Sequence, residues 1–352
     1  LSVGRAPVRT VAEAEVFVGK LFAHERDAVG PHLAEVLFLS EVLFPSAYTP
    51  GTPIEIDGAT YSEAIYGEVL AGRSVPVTRH YEASPLWPGS LPETKAGVLA
   101  AMNTGQYGYI NHIGHGFFFD MSVGDRTLAL TDAAGLTNGD HAFILNNLNC
   151  ASAAFDYHSI MERFLTNTHG GAVLAIGSSR AAFAQTAALF QKSFYAAVFE
   201  DGLPAAGDAV DACRLDWLAA AQLNSVERWT QMAMAVLGDP SLQLWTAAPA
   251  ALAVTAPAAL PLGPSSVLVE VRRDGAPLAG ARVCLHKPGD VQATGLTGPD
   301  GIAALDVLPN NPGSLTLTVT ARNGIPMCGL PFHAAISFTW RCRQQQTKSR
   351  AR

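Results

Sequence analysis

Hydrophobic positions along this chain change rhythm near Trp245. Before it they come in dense blocks: Val36-Leu37-Phe38-Leu39, 75–81, 107–113, 142–149 and 170–179. Such runs, bounded by Gly, Asn, Asp or Ser, predict strands buried on both faces. Between them the apolar residues recur at helical spacing. Thr10 and Glu13 form a capping-box signature ahead of Val11, Ala14, Val18, Leu21 and Phe22 on one face. The same spacing predicts helices over 61–71 (Ala64, Ile65, Val69 inward), 93–103 (Val98, Leu99, Met102) and 155–168 (Phe155, Ile160, Met161, Phe164, Leu165). Three more are expected over 184–199, 209–222 and 227–237. Strands that alternate with helices predict an α/β fold with a parallel sheet.

After Trp245 an Ala/Pro-rich stretch, 247–264, reads as a linker and strand entry. Single apolar residues then alternate: Val267, Val269, Val271; Ala281, Val283, Leu285; Leu315, Leu317, Val319. Turn residues Arg272-Arg273-Asp274-Gly275 and Gly298-Pro299-Asp300-Gly301 separate the runs. Short strands with regular turns read as an all-β immunoglobulin-like sandwich.

Two strand ends carry candidate chemistry. The run 107–113 is followed by Gly114-His115-Gly116, and the run 142–149 by Cys150. In parallel sheets ligands bind at the carboxyl ends of strands. An imidazole that takes the proton of a thiol makes a nucleophile for acyl transfer. Glycines beside the histidine let a substrate approach the backbone, and the N–H groups of Gly116 and Cys150 are candidates to hold an oxyanion. Each residue also has an ordinary reading: a lone buried cysteine is inert core, and a lone histidine is a satisfied polar group.

Composition narrows the classes. The 352 residues are 49% apolar and 15% charged, which fits a globular chain of two domains. A net charge of −7 argues against nucleic acid as a partner. No apolar run reaches the roughly 18 residues of a transmembrane helix. Five cysteines without paired spacing describe neither a disulfide framework nor a zinc site. The chain begins with Leu1, not Met, and reads as a fragment or processed product.

Asn111-His112-Ile113-Gly114-His115-Gly116 followed by Leu148-Asn149-Cys150 resembles the gingipain family of cysteine peptidases. So do Gly170-Gly171-Ala172-Val173-Leu174-Ala175-Ile176-Gly177-Ser178-Ser179 and the closing segment Leu237-Gly238-Asp239-Pro240-Ser241-Leu242. The resemblance implies a caspase-like sheet flanked by helices and a catalytic dyad on His115 and Cys150. It implies that residues 1–32 are the remnant of a first caspase-like subdomain, with a sheet edge left bare. Residues 33–247 would be the catalytic subdomain and 248–335 the immunoglobulin-like domain. The basic tail 336–352 does not resemble the family and is expected to be disordered. An acidic residue after the first strand orients the histidine in the family, which points to Glu41. The family's arginine-pocket aspartate falls near Ala59, with Asp57 close by. Ser178, Ser179 and Phe117 would line the substrate cleft, and Arg180 is a candidate for a substrate carboxylate.

The resemblance implies a secreted endopeptidase, extracellular or on a bacterial cell surface, acting on proteins or peptides. No organic cofactor or catalytic metal is required. The family has structural calcium sites, for which Asp125, Asp132 and Asp140 are candidate ligands. Cys284 and Cys328 could pair in an oxidising compartment. Three other functions remain: a transpeptidase using the same dyad, a non-catalytic adhesion or scaffold protein, and a metal hydrolase built on His112, His115 and His169.

Overall fold

The computed structural model describes residues 2–27 and 29–334. Its chain divides into two compact units, Leu1–Ala248 and Pro249–Arg352.

In the first unit Thr10 caps helix α1 (Val11–Glu25), with the capping box closed by Glu13. The helix turns inward Phe17, Leu21 and His24, spaced by four and three residues. Val11, Val18 and Phe22, expected inside, are exposed. The buried face is rotated because Lys20 also points down, donating to the carbonyls of Phe164, Leu165 and Ala172. Helix α1 shares a core with the sheet and belongs to the same unit.

The sheet is built from β1 (Val36–Ser40), β2 (Val77–Tyr81), β3 (Tyr109–Ile113), β4 (Phe143–Leu148), β5 (Ala172–Ser178) and β6 (Met234–Leu237). Its order is β6-β5-β4-β3-β1-β2, with the short strand Leu91–Pro92 beyond β2. All neighbours are parallel except β5 and β6. Strand β6 falls within the stretch expected to continue a helix; that helix stops at Ala233. The outer side of β6 is partly covered by Arg5, which exchanges hydrogen bonds with Val236 and Gly238.

Helices cover both faces. Val36, Phe38, Tyr109, Ile144 and Ile176 pack under α2 (Gly58–Ile65), the helix Ala184–Phe199 and the helix Ala206–Asp216. Leu37, Leu39, Ile110 and Leu145 pack on the other face with α1, the helix Lys95–Asn103 and the helix Ile160–Thr166. The last of these begins later than its periodicity suggested, because Ser159 caps it; Phe155 stays outside and exposed. Burial on both faces is why these strands read as unbroken apolar runs.

The second unit is two sheets sharing one core, antiparallel except where the short strand Ala259–Leu260 pairs in parallel at an edge. Val267, Val269 and Val271 of Ser265–Arg273 meet Val283, Leu285, Leu315, Leu317 and Val319 of the other sheet. Cys284 is a free thiol, and its backbone pairs with Thr318, which in turn pairs with Cys328. Two strand spacings come to about 9–10 Å, beyond the roughly 7 Å that a disulfide spans. This backbone register does not suit the Cys284–Cys328 pairing that an oxidising compartment would allow. The tail 336–352 lies outside the described residues.

Candidate active site

From β1 the chain moves to β2 on one side, whereas β3, β4 and β5 build outward on the other. The order reverses between β1 and β3, and the loops leaving their carboxyl ends diverge and open a crevice. Glu41, His115 and Cys150 follow β1, β3 and β4 and come to this one rim.

Glu41 is buried. Its two carboxylate oxygens accept the N–H of His115 at 2.8 Å and that of Gly124 at 3.0 Å. This corrects the expectation that it would hold the imidazole. Ser40 is in register with Ile113, so Glu41 lies beside the Gly114–His115 backbone and meets main-chain donors first. Gly114 permits this closeness: a Cβ there would stand 2.7 Å from both Glu41 Oε2 and His112 Nε2.

The imidazole is held by a group the sequence does not advertise. Nε2 of His115 lies 2.8 Å from the carbonyl oxygen of Leu43. A carbonyl only accepts, so Nε2 carries the proton and Nδ1 keeps the lone pair. The ring of Phe44 stands edge-on to the imidazole, centroids 6.0 Å apart.

Cys150 is half-buried, and its sulfur accepts the N–H of Ala182 at 3.4 Å. The chain turns sharply just after it. Ala151 has φ 57°, a left-handed conformation unfavourable for alanine, and its N–H donates to the Arg180 carbonyl at 2.8 Å. The N–H of Cys150 has no acceptor among the described residues. Ser122 N–H bonds to the His115 carbonyl, which makes Gly116 and Met121 a non-hydrogen-bonded pair of their hairpin. The Gly116 N–H therefore points away from the hairpin. A Cβ on Gly116 would meet Asn149 Nδ2 at 2.4 Å, so no larger residue fits.

His115 and Cys150 line one groove of about 540 Å³, walled by Leu43, Phe44, Leu148 and Phe183. Glu227 also lines it, and one of its carboxylate oxygens is buried without a partner among the described residues.

A family model described as peptidase family C25 matches residues 1–245. The chain belongs to peptidase family C25. As a member of that family it is a cysteine peptidase. Solved structures agree on the fold. The Arg-specific cysteine proteinase gingipain R superposes with a TM-score of 0.77 at 19% identity, covering 93% of this chain and 74% of that one. The complex of the pro- and mature domains of RgpB from Porphyromonas gingivalis gives 0.76 at 20% identity, covering 93% and 75%. These likenesses establish the caspase-like α/β fold. No curated protein sequence gives a significant match.

Other expected site residues of this C25 peptidase fall elsewhere. Ser178 and Ser179 are buried and donate to the carbonyls of Arg180 and Ala233; neither lines the groove. The segment just beyond them, Ala182 and Phe183 with the first turn of the helix Ala184–Phe199, does. Phe117 is exposed, away from the groove lining. Arg180 is engaged by Asp156 through both terminal nitrogens at 3.1 Å. Asp57 caps α2 through Ala59 N–H and takes the Trp87 indole N–H at 2.9 Å, so both its oxygens are used.

The histidine triplet of the metal-hydrolase reading is not assembled. His112 is fully buried, with Nδ1 on Asn147 Oδ1 and Nε2 on the Ser122 carbonyl. Burial lowers its pKa. His169 precedes β5, at the opposite rim from His115. The three candidate calcium aspartates do not form one cluster: Asp125 accepts Lys95 N–H, Asp132 pairs with the Lys95 ammonium, and Asp140 precedes β4. Among the described residues no three His, Cys, Asp or Glu side chains form a metal site.

Beneath the rim lie two more carboxyls. Glu82 accepts Val42 N–H at 2.9 Å; burial, then the charges of Glu41 and Asp57, push its pKa up to about 7. Glu93 is fully buried without a hydrogen-bond partner among the described residues, and burial followed by the charge of Glu41 raises it well above 4.5.

Proposed function

We propose that this C25 peptidase hydrolyses peptide bonds with Cys150 as nucleophile and His115 as general base and acid. Nδ1 of His115 takes the thiol proton as sulfur attacks the scissile carbonyl carbon. The carbonyl electron pair moves to oxygen, where the N–H groups of Gly116 and Cys150 stabilise it. Collapse expels the amine, which receives the proton from His115 and leaves a thioester on Cys150. Water, deprotonated by the same imidazole, attacks the thioester and releases the acid. The acid–base cycle needs one lone pair on the ring, and the Leu43 carbonyl fixes which nitrogen keeps it. Glu41 acts as a positioning residue through the main chain of His115.

The observation that carries this reading is the groove shared by His115 and Cys150 at the point where strand order reverses. The substrates are proteins or peptides. Action outside the cell or at a cell surface follows from the resemblance to gingipains; among the described residues no helix is long and apolar enough to cross a membrane. Digestion of a peptide library by the protein and by its Cys150→Ala form tests the proposal. Hydrolysis by the first and none by the second is expected. Cleavage that survives the substitution contradicts it. An added amine acceptor that appears in the products instead of water identifies a transpeptidase.

A further inference from the structure

Four aromatic rings form a surface on the side of the rim away from the groove. Phe117, Phe119 and Tyr157 are about half exposed, at 48%, 45% and 51%. Phe118 holds them together, stacking on Tyr157 at 4.5 Å and meeting Phe117 at 4.9 Å and Phe119 at 5.1 Å. Clustered exposed rings mark a binding surface rather than chance exposure.

Their place in the fold says what that surface meets. The groove lies over one sheet face, where Leu43, Ile113 and Leu148 pack with Ala187 and Ala188. The aromatic hairpin, 116–129, lies over the other face: Met121, Val123 and Leu128 pack with Leu39, Ile110 and Leu145. His115 and Cys150 stand on the rim between the two. Gly116, whose N–H is assigned to the oxyanion, is the chain neighbour of Phe117, and one extended residue spans only about 3.3 Å.

We propose that the Phe117–Phe118–Phe119–Tyr157 surface is a second substrate subsite. An extended peptide crosses the rim with residues on one side of the scissile bond in the groove. Residues on the other side lie on the rings, which select apolar or aromatic side chains there. This rests on the proposed hydrolysis by Cys150, and its test is separable from that of the hydrolysis.

A peptide library randomised on both sides of the cut is digested by the protein, by Phe117→Ser/Phe119→Ser and by Phe183→Ala. The hairpin variant should lose about 10-fold or more in kcat/KM on peptides with an aromatic residue on one side. It should keep its rate on peptides with serine there. Phe183→Ala should alter preference on the opposite side of the bond. A uniform loss across all peptides, or both variants acting on the same side, overturns the subsite. Binding of an uncleaved aromatic peptide to Cys150→Ala, with and without the hairpin substitutions, reads the surface without turnover. Equal affinity gives the rings to another occupant and also overturns it. Circular dichroism of each variant confirms that it is folded.

Discussion

The two rims of the sheet look alike in inventory and differ in chemistry. The carboxyl rim has His115 and Cys150 in a groove of about 540 Å³. The amino rim has a cavity of about 480 Å³ lined by His24, His32 and His141 with Asp27 and Asp140. There the histidines are spent on structure. His32 stacks on His141, centroids 4.1 Å apart, His141 Nδ1 bonds to the Gly105 carbonyl, and His24 Nε2 to the Gln243 carbonyl. Burial, aided by a neighbouring histidine, drives both His24 and His32 down to about 4. A cavity with titratable side chains is therefore not enough. The carboxyl rim adds a sulfur beside a strained turn and, in Gly116 and Cys150, backbone N–H groups that no acceptor among the described residues takes up.

The comparison breaks most visibly with the nucleophile. Cys150→Ala should remove hydrolysis, a loss of about 10⁶-fold in kcat, while His141→Ala at the other rim leaves kcat/KM within about twofold. Steady-state assays on one peptide compare them. Comparable losses at both rims would refute the assignment.

Glu41→Gln sharpens the account of how His115 is held. An amide places a donor against one of the two main-chain N–H groups that the carboxylate accepts, at a cost of about 1–3 kcal/mol. We expect kcat to fall about 10–100-fold, with KM little changed and the protein folded. A fall in KM-controlled rate alone would assign Glu41 to substrate binding.

Two smaller effects are read as melting temperature against pH. The unfolded chain protonates His32 near 6.5 and the folded chain only near 4, so folding loses stability as pH drops through that window. His32→Phe keeps a ring for the stack and should raise Tm at pH 4.5 by about 4 °C. Glu82 has the opposite sign. Its folded pKa of about 7 lies above the ordinary 4.5, so the folded state holds the proton longer and stability falls as pH rises between them. Glu82→Gln should raise Tm at pH 8 by about 2 °C. Unchanged pH profiles would contradict either shift.

The sheet was legible because its strands are buried on both faces and leave unbroken apolar runs. His115 and Cys150 were legible because each ends such a run. The edge strand β6 was hidden: Met234-Ala235-Val236-Leu237 follows a helix directly, and four residues carry no period of their own. The face of α1 was misread because Lys20 behaves as an inward residue, its ammonium satisfied by three carbonyls. The Leu43 carbonyl left no trace, since any residue there supplies the same oxygen. Ser178 and Ser179 end a strand at the site, yet their hydroxyls turn to backbone carbonyls while the segment that leads into the next helix reaches the groove.

The central claim is that Cys150 is a nucleophile activated by His115, and labelling tests it most directly. Folded protein is treated with a peptidyl acyloxymethyl ketone and the modified residue found by mass spectrometry. The account predicts an adduct on Cys150, none on the buried Cys213, and loss of the adduct in His115→Ala. A folded sample that leaves Cys150 unlabelled, or labels it equally without His115, would contradict it.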